Sequence, residues 1–124
     1  MPMLLAACPS FERPWRDYVR DPTYHETLLY IHFSEFARHL IHLKKANETT
    51  EFGAVFAVVE LLHTTGDPYV SEAATIGLLE SLQNTAGDRG LDPELFYSHL
   101  QPESAKWWAK LNAYWNGDAT ALRK

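Results

Sequence analysis

Apolar positions recur at intervals of three and four residues along almost the whole chain, and no short run alternates β-branched apolar with polar positions as a strand would. The pattern predicts an all-α protein of about six helices, packed as a single domain over residues 1–124. Ser10 is placed to cap a short first helix through Arg20, with Pro14 tolerated in its first turn. Asp21-Pro22-Thr23 then opens a long helix over 24–45, inside the longest stretch free of Gly and Pro, from Thr23 to Phe52. Lys44 and Lys45 lie at its end, where the helix dipole favours cations. Thr49 or Thr50 starts the third helix, EFGAVFAVVELLH, which is apolar on nearly every side and is expected to be the central one.

Turn residues mark the rest. Gly66 is expected to stop the third helix in a left-handed conformation, and Asp67-Pro68 to restart the chain as cap and first helical residue. In YVSEAATIGLLESLQN, Ala73, Ala74 and Gly77 share one side, so a neighbouring backbone can approach closely. GDRGLDP is a connector, Asp92-Pro93 begins a short helix to about Leu100, and Gln101-Pro102 begins the last, ending near Asn116-Gly117. The terminal DATALRK is expected to fray. Short joins imply that consecutive helices lie antiparallel.

Composition narrows the function classes. With 124 residues the chain can bury one sizeable core without a metal or disulfide, and no cofactor is expected. Sixteen acidic and 11 basic side chains give a net charge of −5, and the basic ones are scattered along the sequence. Such a surface repels a nucleic-acid backbone and attracts a basic protein. No apolar run is long enough to span a membrane. Leu5-Ala6-Ala7-Cys8 resembles a lipoprotein cleavage box, but the positive start and the long apolar run of an export signal are missing, so Leu4 and Leu5 are read as a hydrophobic anchor. The lone Cys8 cannot bridge internally, which fits a reducing, cytoplasmic setting.

The densest candidate chemistry is IHFSEFARHLIH. On a helix His25, His32 and His39 form a row, with Glu35 and His42 outside it and Leu29, Phe33, Phe36, Ala37 and Leu40 on the apolar side. Seven residues rise about 10.5 Å, so the row cannot close on one ion with Zn–N bonds of about 2 Å. Glu60-Leu61-Leu62-His63 supplies one E-x-x-H copy, the spacing used twice in di-iron bundles. Glu35, His39, Glu60 and His63, with Glu80 nearby, therefore define an alternative reading as a metal-dependent helical-bundle enzyme. The first reading makes these groups hydrogen-bonded elements of a helix seam. Glu60 interrupts an apolar run and requires a donor, for which Arg38 or a histidine of the preceding helix is a candidate. Ser71, Ser81, Ser98 and Ser104 lack a nucleophile elbow, Cys8 lies at an end expected to be mobile with no base beside it, and GDRG lacks the lysine of a phosphate loop.

Residues 55 to 84, VFAVVELLHTTGDPYVSEAATIGLLESLQN, resemble a HEAT-type helix pair: an apolar helix, a G-D-P turn, then V-x-E-A-A-x-x-x-L-L. Glu60, Gly66-Asp67, Val70, Glu72-Ala73-Ala74 and the run from Gly77 to Asn84 are also similar to small all-helical bacterial proteins, some of which act as immunity proteins beside toxins. The resemblance implies a non-enzymatic protein that covers a cognate toxin by stoichiometric binding. Glu72, Glu80 and Gln83, on and near one helix face, are candidate contacts. So are Trp107 and Trp108, which point about 100° apart, so that at least one is expected near the surface. A homodimer through an exposed Trp107 or Trp108 is a third reading.

Overall fold

The computed structural model describes residues 1–26, 28–118 and 120–122, and among them every regular element is helical. α1 (Pro2–Ala7) leads through a 3₁₀ turn (Pro9–Phe11) into α2 (Glu12–Val19), followed by α3 (Leu29–Lys45) and α4 (Phe52–Thr65). α5 (Pro68–Glu72), a π-helical stretch (Ala73–Leu79) and α6 (Glu80–Asp88) run on without a break, and a 3₁₀ segment (Pro93–His99) precedes α7 (Pro102–Trp115). The chain is thus a single compact all-α domain.

Three starts fall where the sequence places them. Asp67 Oδ1 accepts from Val70 N at 2.9 Å and Asp92 Oδ1 from Glu94 N at 3.0 Å, each followed by proline at the first helical position; α7 begins at Pro102. Two do not. Ser10 caps nothing, because its hydroxyl is bonded to His39 and Glu51, and α2 begins at Glu12. The long helix begins at Leu29 rather than residue 24. Asp21 Oδ1 accepts from Thr23 N at 2.8 Å and Thr23 Oγ1 at 2.6 Å, and this local turn competes with helix. Tyr24 meanwhile stacks on His32, ring centroids 5.1 Å apart. His25 therefore lies outside the helical row.

The centre is not α4. That helix buries Phe52, Val55, Phe56, Val59 and His63 but leaves Gly53, Ala54 and Leu61 at the surface. Its all-round apolar character comes partly from Gly and Ala, which lose little by exposure. α3, which buries Phe33, Phe36, Ala37, Leu40 and Ile41, packs most extensively on the π stretch and α6 and forms the middle of the core.

Gly77 sets that approach. A Cβ built on it would lie 3.1 Å from Tyr30 Cα, 3.2 Å from Tyr30 O and 3.3 Å from Phe33 Cβ. Beside it Ser34 Oγ donates to the Gly77 carbonyl at 3.3 Å and meets Ser81 Oγ at 2.8 Å. Gly77→Val is expected to force α3 away and cost about 1–3 kcal/mol in urea unfolding; an unchanged midpoint would contradict this packing. Gly66 departs from expectation: its φ of −68° and ψ of 153° are extended, not left-handed. What favours glycine there is space, since a Cβ would sit 2.4 Å from the Leu62 carbonyl oxygen. Of the terminal DATALRK, Leu122 packs on the core edge, and residues 119, 123 and 124 lie outside the described ones.

Candidate functional site

Glu60 has neither Arg38 nor a histidine of α3 as its donor. Its Oε2 accepts from Glu103 N at 2.8 Å, and its Oε1 from Ser104 N and Ser104 Oγ, both at 2.9 Å. These are the free donors of the first turn of α7, whose own cap residue, Gln101, makes no side-chain cap bond. Glu60 thus caps a helix distant in sequence. Burial alone would raise its pKa, but these bonds and the neighbouring His63 together hold it below the ordinary carboxylate value.

His63 extends the network. Its Nδ1 lies 3.0 Å from Val59 O and 3.1 Å from Ser104 Oγ, and its Nε2 3.1 Å from Thr75 Oγ1 on the π stretch. α4, the π stretch and α7 are pinned at one point. The other half of the proposed metal set goes elsewhere: Glu35 pairs with Arg38 at 2.6 Å, and His39 Nε2 meets Ser10 Oγ at 2.8 Å. Among the described residues no three His, Cys, Asp or Glu side chains are grouped to hold a metal. Glu35, His39, Glu60 and His63 therefore do not converge on one point: Glu60 and His63 share Ser104, while Glu35 binds Arg38 and His39 meets Ser10.

A second network has no signal in linear spacing. Cys8 is fully buried rather than mobile, and its Sγ lies 3.5 Å from Ser10 Oγ and 3.4 Å from Glu51 Oε1. Ser10 Oγ also donates to Glu51 Oε1, and Ser10 N donates to Glu51 Oε2 at 3.1 Å. The carboxylate grips the serine rather than the far side of the imidazole, which is not the order of a serine-protease relay. Burial pushes the Cys8 thiol up to about 11, so the nucleophilic thiolate is scarce. Chemically, this cluster fastens the Cys8–Phe11 turn to α3 and to the start of α4.

The remaining histidines border the core. His32 Nδ1 shares a hydrogen bond with Tyr18 Oη at 2.8 Å, its ring between those of Trp15 and Tyr24; His99 stacks on Phe56 and faces Lys44 Nζ at 3.2 Å. Burial lowers the pKa of His32, His39, His63 and His99 below 6.5. The folded state then binds fewer protons than the unfolded chain. Their contribution to stability is full above about pH 6.5 and is lost as pH falls through the folded values. Glu80, raised by burial, opposes this as one group against four. The melting temperature is expected to fall from about pH 7 to about pH 5, and a flat profile would refute this account.

The expected contact residues separate. Gln83 is 8% exposed, with Nε2 donating to Trp108 O at 3.2 Å; Trp108 is 0% exposed, with Nε1 donating to Glu94 Oε2 at 3.0 Å. Trp107 is 9% exposed, its ring covered by Lys110 Nζ at 4.4 Å, and it edges a cleft of about 310 Å³ with Ser71, Thr75, Ile76 and Leu122. Gln83, Trp107 and Trp108 are thus packing residues, and neither tryptophan offers a twofold contact. Helix rotation places both indoles inward because α7 is flanked by α4, the π stretch and the Pro93–His99 segment. The large aromatics at the surface are instead Trp115, Tyr114, Tyr97 and Tyr69. Glu72 is exposed and Glu80 half-buried.

The lysines and arginines are not evenly scattered: none occurs between Ala46 and Asp88, a segment with seven carboxylates. It comprises α4, α5, the π stretch and α6, and four of those carboxylates, Glu48, Asp67, Glu72 and Asp88, are exposed. Where α4 and α5 meet α1 and the start of α3, an apolar groove of about 270 Å³ is lined by residues 1–4 with Leu29, Phe33, Leu62 and Val70.

These features define a helical domain whose helices are joined by internal polar clusters. A family model described as Domain of unknown function (DUF7674) matches residues 1–116, and the chain belongs to that family. No curated protein and no solved structure matches it.

Proposed function

We propose that this chain is a non-enzymatic binding protein, of the kind that neutralises a cognate bacterial toxin by covering it in a stoichiometric complex. The observation that carries this reading is the acidic segment: 43 consecutive residues, 46 to 88, with no lysine or arginine and with Glu48, Asp67, Glu72 and Asp88 exposed. A basic protein is drawn to such a surface at long range, and exposed aromatic anchors then supply much of the affinity. The bonding of Glu60, His63, Ser10 and Glu51 gives additional support, because these groups brace a rigid body. Glu72, exposed on this segment, remains a candidate contact.

The test is co-expression with the product of the neighbouring open reading frame. The expected result is that the neighbour arrests growth alone, that this chain restores growth, and that the two co-purify in a fixed ratio. A neighbour that is harmless by itself and elutes separately would overturn the reading.

A further inference from the structure

We infer that the apolar groove between α1, the start of α3, the end of α4 and α5 is the seat for one face of a basic amphipathic helix on a protein partner. This rests on the reading of the chain as a binding protein and adds where the partner sits and what chemistry it carries.

The groove's shape suits side-chain anchors. Its volume, about 270 Å³, falls just below the roughly 300–1,000 Å³ of small-molecule clefts, and the side chains that line it offer no hydrogen-bonding group to orient a polar ligand. An amphipathic helix fills such a space with large apolar residues at i, i+3 or i+4, and i+7. The apolar surface continues outward: Met3 on the groove wall is 51% exposed, and Leu61 and Tyr69 stand open on the neighbouring turns of α4 and α5.

Charge selects the occupant. The segments that wall the groove, residues 1–7, 24–33 and 59–72, contain no lysine or arginine, while Glu26, Asp67 and Glu72 on those segments are exposed. Met1 also lines the groove, and burial lowers the pKa of its α-amino group. A second copy of the chain would bring the same acidic wall and the same net charge of −5 against it. A helix with lysines and arginines flanking an apolar stripe meets both features at once.

The experiment titrates the intact, nitrogen-15-labelled chain with a synthetic helix-forming peptide of roughly 18 residues, leucines on one face and lysines elsewhere, and with a matched peptide carrying glutamates in place of the lysines. Saturable shifts confined to residues 1–5, 28–33, 61–63 and 68–70 are expected with the lysine peptide, and at least about tenfold weaker binding of the glutamate peptide. Met3→Lys should weaken the lysine peptide by about tenfold or more, Glu26→Lys by a smaller factor, and Trp115→Ser, outside the groove, not at all. Because Met3 and Glu26 are at the surface, at least one of those variants should keep the native spectrum. Shifts centred on Trp115 or Tyr97, equal binding of both peptides, or no saturation would overturn the inference. So would full retention of a co-purifying neighbour by folded Met3→Lys, which would leave the binding reading intact and the seat elsewhere. Peptide capture by a chain that ignores its neighbour would keep the groove and remove the toxin.

Discussion

Trp108→Ala is expected to destabilise the domain by about 3–5 kcal/mol, the range for deleting a large aromatic from a packed core. The side chain is fully buried, and its indole N–H binds Glu94 Oε2 at 3.0 Å, joining α7 to the Pro93–His99 segment that contributes Phe96 to the core. Its carbonyl also receives Gln83 Nε2 at 3.2 Å, a backbone contact that the substitution leaves in place but loosely supported. Trp108→Phe separates the two losses, keeping most of the volume and removing the N–H, for an expected cost of about 1–2 kcal/mol. Urea unfolding of both variants checks this. If Trp108→Ala melts like the parent, the indole is not the anchor described, and a partner role for it would reopen.

Glu60→Ala should remove about 2–4 kcal/mol, since three hydrogen bonds to one carboxylate are lost and the first turn of α7 is left uncapped. The consequence reaches beyond the pair: without Glu60, the Ser104 hydroxyl is no longer held beside His63, which itself meets Thr75, and α4, the π stretch and α7 are less firmly joined. The pH dependence has a definite sign. The folded pKa of Glu60 lies below its ordinary value of 4.5, so its contribution is full above that value and lost as pH falls through the folded pKa. Glu60→Gln is expected to flatten the acid limb of the stability profile below about pH 4.5 while leaving the histidine-dependent fall at higher pH. An unchanged acid limb would show that α7 does not depend on this charge.

How much of this was legible varies residue by residue. The prolines at 68, 93 and 102 and the aspartates before two of them announced helix starts, because capping is settled within a few residues. Gly77 between the small residues of its helix announced a close crossing, although only the structure shows Tyr30 as the backbone that meets it. The late start of α3 was hidden, since an aspartate turn and an aromatic stack around His32 outweigh the helical pattern of residues 24–28. The π-helical turns between Ala73 and Leu79 were hidden too: one extra residue per turn does not interrupt an apolar pattern. The tryptophans misled because residues 107 and 108 point apart on any helix, and a helix covered on two sides buries both.

By itself the sequence determined that this chain is a bundle of helices, where three of them begin and which face of α3 is apolar, because helical periodicity and capping are local and repeat within a turn or two. The tertiary structure alone decided the partners of the polar groups. Glu60 meets residues 43 and 44 positions away and Glu51 meets one 41 away, separations that carry no period to read. It also decided which apolar residues stay uncovered, since a groove is the space left over when helices of unequal length pack, and no single helix contains it.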